Sequence, residues 1–77
     1  MNKQQKKELS KMLDEIESYV STLEEMAEEE QEKYENMPEN LQDSERGEAL
    51  QEAADNLQQA AEDLQNVVDE LRDNMEL

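Results

Sequence analysis

Carboxylates are the side chains with which this chain could do chemistry. Its 77 residues include 23 acidic and 7 basic residues, which give a formal net charge of −16. Paired carboxylates can act as general acid and base in a cleft that shifts their pKa values, or they can bind a hard cation. The acidic segment "EEMAEEEQE" lacks the ligand spacing of an EF-hand loop, so specific calcium binding is not expected.

Other catalytic residue types are missing. The chain has no histidine and no cysteine. Without histidine there is no Glu-x-x-His motif for a di-iron site and no imidazole to activate a serine or threonine. Without cysteine there is no disulfide and no thiolate metal site. We therefore predict no enzymatic activity, no cofactor and no bound metal.

The elements that position the carboxylates follow from a seven-residue apolar period. In the second half the leucines recur at Leu50, Leu57, Leu64 and Leu71 without a fault. Together with their neighbours they form a broad a/d/e-type stripe on each of two helices, typical of a bundle. The predicted core and oligomer interface comprises Leu9, Leu13, Ile16, Val20, Leu23, Met26, Leu50, Ala54, Leu57, Ala61, Leu64, Val68 and Leu71.

The segment "YENMPENLQDSERGEAL" interrupts this period and holds the only proline and the only glycine. Pro38 cannot continue a helix, which predicts helices over about residues 3–36 and 44–76 around a turn at 37–43. Asp43 or Ser44 is expected to cap the second helix. The predicted fold is all-α: an antiparallel two-helix hairpin of coiled-coil type in one domain, residues 1–77. Its stripe is too wide for one hairpin to cover, which predicts self-association into a four-helix bundle or, alternatively, docking on another protein.

Three residues are predicted to pack at the turn, namely Tyr34, Pro38 and Gly47. A glycine inside a helix costs about 1 kcal/mol relative to alanine, so its presence needs a reason. Either Gly47 makes room for the ring of Tyr34, or a frayed first turn tolerates it. Four lysines near the N-terminus are expected to lie beside acidic residues that end the second helix. These lysines are Lys3, Lys6, Lys7 and Lys11.

Nine of the 23 acidic residues form a candidate surface for a partner, which we call the acidic face. It comprises Glu24, Glu25, Glu28, Glu29, Glu32, Glu35, Glu48, Glu52 and Asp55. One interpretation is a solvated surface that keeps a small amphipathic protein soluble. The other is that two carboxylate rows imitate the phosphate rows of a duplex and occupy a basic channel of another protein. The same charge disfavours direct binding to nucleic acid.

Residues 28–64, "EEEQEKYENMPENLQDSERGEALQEAADNLQQAAEDL", carry a family resemblance. With "EEQEKYENMPENLQ" followed by "SERGEALQEAADNL", the chain resembles small acidic helical proteins encoded by bacteriophages and prophages of Firmicutes, over about half its length. The resemblance implies a phage origin and action by binding and blocking a host protein, as anti-CRISPR and anti-restriction proteins do. It implies no particular functional residues.

Two functional hypotheses follow. The first is an acidic inhibitor or modulator of a basic nucleic-acid-handling protein. The second is a structural or assembly protein that works by self-association and whose charge only confers solubility. The expected partners are a second copy of the chain and another protein with a basic surface. No membrane partner is expected, because no apolar run approaches the roughly 20 residues of a membrane span. The expected location is the cytoplasm of a bacterial host.

Overall fold

A computed structural model describes all 77 residues as three helices. Helix α1 covers Lys3–Glu35, the single-turn helix α2 covers Glu39–Gln42, and helix α3 covers Glu45–Met75. There is no strand, so the all-α prediction is confirmed. None of the helices is both long and apolar enough to span a membrane.

Helices α1 and α3 pack closely side by side and form an elongated body of 59 × 16 × 13 Å, which we call the rod. They run antiparallel, because side chains late in α3 contact side chains early in α1. Arg72 Nη2 lies 2.7 Å from Asp14 Oδ1, and Gln65 Nε2 donates to Glu17 Oε2 at 3.1 Å. The short connection through α2 therefore closes one end of the rod, and both termini lie at the other.

Each long helix begins at a side-chain cap. Asn2 and Gln5 form a reciprocal capping box, in which Asn2 Oδ1 accepts from the Gln5 amide at 2.8 Å. Ser44, one of the two predicted caps of the second helix, accepts from the Gly47 amide at 3.3 Å. Both interactions satisfy backbone N–H groups that have no partner in the first turn of a helix.

The turn is organised by Gln42. Pro38 precedes α2 at its N-cap position, with φ −56° as its ring requires. The side-chain amide of Gln42 donates to the carbonyls of Met37 at 3.2 Å and of Tyr34 at 3.4 Å. The Tyr34 carbonyl lies in the last turn of α1, where it also accepts from the Met37 amide at 3.1 Å, and Met37 lies just beyond the helix. Gln42 thereby ties the one-turn helix to the end of α1.

Gly47 is required by the backbone of the turn. A Cβ at this position would overlap the carbonyl oxygen of Gln42 and would lie 2.7 Å from its carbonyl carbon. The neighbour that demands a glycine is thus a main chain, not the ring of Tyr34, and that predicted explanation is wrong. The alternative of a frayed first turn also fails, because Gly47 is buried and its amide is capped by Ser44.

The core is a single line of small layers between α1 and α3. Its apolar side chains, each at most 5% exposed, are Leu13, Val20, Ala27, Ala54, Ala61 and Val68. Three of these six are alanines. The interhelix contacts set a register in which each core residue of α1 lies at the level of a core residue of α3 that is equal in size or smaller. Small layers of this kind let two helices approach closely, but they bury little apolar surface.

Candidate functional site

One side of the rod is polar, and its interhelix contacts define it. Glu17 and Gln65 meet there, and Arg72 reaches both Asp14 and Glu17. Further along the same side, a shallow notch is lined by polar residues beside the buried alanines. Its lining comprises Ala27, Glu28, Gln31, Ala54, Asp55 and Gln58. In each helix these polar residues follow a buried residue by one or four positions, which places them on the same flank of the seam.

The opposite side of the rod is apolar. Residues three positions after a buried residue, or one before it, lie on the other flank of each helix. In an antiparallel pair those two flanks share one side. We call this side the apolar face. Its apolar residues are Met12, Ile16, Tyr19, Leu23, Met26, Leu50, Ala53, Leu57, Ala60, Leu64, Val67 and Leu71, together with Leu9, one turn before Leu13. The same rule places two charged residues, Glu30 and Arg46, at the end of this face near the turn.

The outer edges of the apolar face are the most solvent-exposed apolar surface of the long helices. On the edge formed by α1, Met12 is 56% exposed, Tyr19 69% and Met26 45%. On the edge formed by α3, Val67 is 51% exposed. Large side chains at regular seven-residue spacing on an open face are typical of an interface rather than of scattered surface hydrophobics.

The predicted core and interface residues fall into three groups. The first is buried: Leu13, Val20, Ala54, Ala61 and Val68. The second is half-buried: Leu9, Ile16, Leu23, Leu50, Leu57 and Leu71. The third, Met26 at 45% and Leu64 at 38%, lies outside the buried line. The leucine period therefore marks the apolar face, while the buried line lies four residues further along each helix and includes Ala27, which was not predicted.

The acidic face is unneutralised. All nine of its residues are exposed, and none of them forms an ion pair. They lie in the half of the rod nearer the turn. Residues 21–59 hold thirteen acidic and two basic residues, a net charge of −11, while the rest of the chain holds ten acidic and five basic, a net of −5. The charge is thus concentrated toward one end of the molecule.

The interhelix ion pairs all involve Arg72. Its guanidinium contacts the carboxylates of Glu17 and Asp14, and it is the one basic residue in the last turn of α3. Hydrogen bonds from Arg72 and, to a smaller extent, from Gln65 lower the pKa of the Glu17 carboxyl below its ordinary value. The N-terminal lysines, which were predicted to lie beside the acidic residues at the end of α3, form no ion pairs. None of Lys3, Lys6, Lys7 and Lys11 lies within 4 Å of a carboxylate.

Two contacts that sequence reasoning missed help to hold the molecule together. Arg72 could have been singled out, because it is the only basic residue after Arg46 and sits among acidic neighbours. Gln42 gave no such signal, since a glutamine in a polar turn has no distinctive pattern.

No group of three or more carboxylates is placed to hold a metal ion. The site features are therefore two surfaces, one apolar and one acidic.

Comparison with known proteins finds no matching family model, no similar curated protein and no similar solved structure. The resemblance to small acidic phage proteins stays a prediction.

Proposed function

We propose that this protein is non-catalytic and acts by protein–protein binding, with its apolar face associating with a second copy to form a four-helix bundle. Such a protein would serve a structural or assembly role. The observation that carries the proposal is the apolar face itself. Met12, Tyr19 and Val67 are each more than half exposed on a side of the rod that carries the leucines of both long helices.

The dimensions of the apolar face suit a dimer. From Leu9 to Met26 it extends about 26 Å at 1.5 Å per residue, and two helices with their side chains included are about 20 Å wide. Its footprint is therefore about 500 Å² per copy, or about 1,000 Å² for two copies, the lower bound for a specific interface. A partner with the same footprint covers the face completely, and a second copy has that footprint by construction.

The small core also supports association. Six buried apolar side chains, three of them alanines, stabilise a chain of 77 residues only weakly. Small domains commonly gain the missing burial by oligomerisation. Covering the apolar face would bury the half-exposed leucines of both helices and so extend the core from one layer to a bundle interior.

Analytical ultracentrifugation with a pair of charge-matched variants tests the proposal. Tyr19→Glu places a carboxylate on the apolar face at a side chain that is 69% exposed, so α1 and α3 should remain folded. Ser21→Glu adds the same charge two residues away, at an exposed position outside that face. We expect the wild type and Ser21→Glu to sediment as dimers at micromolar concentration and Tyr19→Glu as a helical monomer.

Leu57→Glu should be more severe. Leu57 is half-buried within the rod as well as part of the apolar face, so its replacement should abolish both dimerisation and helicity. Asn56→Asp, at the adjacent exposed position, is the control. A wild type that stays monomeric and fully helical at high concentration would overturn the proposed self-association.

A second candidate function uses the acidic face. Here the protein would be an inhibitor or modulator, of anti-defence type if its origin is a phage, that imitates nucleic acid and occupies a basic surface of a nucleic-acid-handling protein. What favours it is that nine exposed carboxylates lack ion pairs and are concentrated toward the turn. Carboxylates that are not neutralised within the chain remain free to attract a basic partner.

Competition with duplex DNA tests this second function. The protein is immobilised, incubated with bacterial lysate at low salt, and eluted with duplex DNA. A mimic of nucleic acid should release nucleic-acid-handling enzymes, because DNA and the acidic face would compete for the same basic surface. If the captured lysate proteins remained bound to the immobilised protein in excess DNA, or if no protein were captured at all, mimicry of nucleic acid would be contradicted.

A further inference from the structure

The two edges of the apolar face differ in size. The edge of α1 carries Met12, Tyr19 and Met26, and the edge of α3 carries Ala53, Ala60 and Val67. Both edges repeat every seven residues. In the antiparallel register Met12 lies near the level of Val67, Tyr19 near that of Ala60, and Met26 near that of Ala53. Each large side chain on one edge thus has a smaller one at nearly the same height on the other.

The seam inside the rod already follows this rule. Leu13 lies at the level of Val68 and Val20 at the level of Ala61, and all four are at most 2% exposed. Pairing a large residue of α1 with a smaller one of α3 keeps the distance between the helices even along their length, without voids. A second α1–α3 contact, between copies, could be built in the same way.

We infer that two copies join with their two-fold axis parallel to the rod, so that α1 of each copy packs on α3 of its partner and both turns lie at the same end. This inference rests on the proposed association through the apolar face. In this arrangement Tyr19 faces the partner's Ala60. A symmetric dimer of two such faces has one main alternative, in which the axis runs across the rod.

The alternative arrangement matches the edges poorly. With the axis across the rod, α1 packs on α1, so Tyr19 meets the partner's Tyr19. On the other edge Ala60 meets the partner's Ala60. One edge would then be held apart by large side chains while the other, lined by alanines, would be left with a gap. Close-packed interiors disfavour such gaps.

Charge opposes the inferred arrangement. With both turns at one end, two halves of net charge −11 lie side by side. Glu15, Glu29, Asp63 and Glu70 each lie two positions after a buried residue, so they border the outer edges of the apolar face, where the copies meet. Screening by salt, with a Debye length of about 8 Å at 0.15 M, reduces this repulsion, whereas contacts between the apolar edges do not depend on it.

The distance between the two turns tests the orientation. The chain has no cysteine, so Asn40→Cys provides a single labelling site at an exposed position in α2, far from the apolar face. Pulsed electron–electron double resonance on the nitroxide-labelled dimer should give a label separation of about 20 Å if the turns share one end. Dilution of the labelled chain with unlabelled wild type should reduce the signal depth without moving this distance.

The other outcomes are separable. A distance close to the 59 Å length of the rod would place the turns at opposite ends and overturn the inferred orientation while leaving dimerisation intact. Absence of any intermolecular distance, together with monomeric sedimentation of the labelled chain and of the wild type, would overturn the proposed association as well.

Discussion

The carbonyl of Gln42 occupies the space in which Gly47 would carry a side chain. This contact joins the single turn of α2 to the first turn of α3, while the side-chain amide of the same glutamine caps the end of α1. One residue therefore holds all three helices at the closed end of the rod. Because the contact is between main chains, neither partner can move away by changing a rotamer.

Gly47→Ala should destabilise the protein. Helix propensity alone would make alanine better by about 1 kcal/mol. Overlap with the Gln42 backbone should outweigh that gain, since overpacking typically costs about 1–3 kcal/mol. We expect a lower free energy of unfolding in urea, measured at one fixed protein concentration because association also contributes.

Ala49→Gly is the matched control for this substitution. Ala49 is exposed two residues later in α3, so glycine there should show only the propensity cost. If Gly47→Ala instead raised the melting temperature, propensity would be the governing effect and the close approach of Gln42 would not be a constraint in solution.

Gln42→Ala should weaken the closed end without unfolding the long helices. The substitution leaves the carbonyls of Tyr34 and Met37 without this donor, and a net hydrogen bond contributes about 1 kcal/mol. Hydrogen exchange of amides near the end of α1 should accelerate. Gln51→Ala, at an exposed glutamine without a side-chain hydrogen bond, should change neither exchange nor stability. Equal effects of the two variants would show that Gln42 does not act as a cap.

Arg72 should give the protein a pH-dependent contribution to stability. Its hydrogen bond lowers the folded-state pKa of Glu17 below the ordinary value of 4.5, which applies to the unfolded chain. A carboxyl with a lowered folded-state pKa contributes stability above its unfolded value, and that contribution is lost as pH falls through the folded value. The stability difference between wild type and Arg72→Met should therefore be steady near neutrality and shrink below about pH 4.5.

Arg46→Met is the comparison for the pH series. Arg46 forms no ion pair, so its replacement removes the same charge without breaking a contact with a carboxylate. Urea unfolding from pH 7 to pH 3 should show no shrinking difference for this variant. A difference for Arg72→Met that does not change with pH would mean that Arg72 stabilises the rod only through packing of its aliphatic stem.

The seven-residue period was enough to predict two long helices, because apolar residues that recur every seven positions lie on one side of a helix and pack together there. It did not identify which apolar series is buried. Ala27 and Leu23 both lie on the apolar stripe, and only the rotation of α1 about its axis, set by contact with α3, buries the alanine and leaves the leucine half-buried. The reason for Gly47 was likewise out of reach, because it depends on where the Gln42 main chain passes.

Salt should affect the two proposed interactions in opposite directions. Association through the apolar face brings two negative rods together, so screening should strengthen the dimer as salt rises from low concentration. Binding of the acidic face to a basic partner should weaken over the same range, because screening reduces the attraction. Sedimentation and DNA-competed capture from lysate, each measured across a salt series, would separate the two contributions.

A quadruple variant assigns the second interaction to particular residues. Changing Glu24, Glu28, Glu32 and Glu35 to Gln removes four of the exposed carboxylates of the acidic face and should leave the rod folded. The control removes the same charge nearer the termini by changing Glu62, Asp69, Glu70 and Asp73 to their amides. Both variants should dimerise more tightly than the wild type at low salt, because both reduce repulsion between the copies. If the acidic face is a binding surface, only the first variant should lose the proteins that duplex DNA displaces. Equal capture by both variants would leave the carboxylates of the acidic face as a solvated surface and exclude mimicry of nucleic acid by these residues.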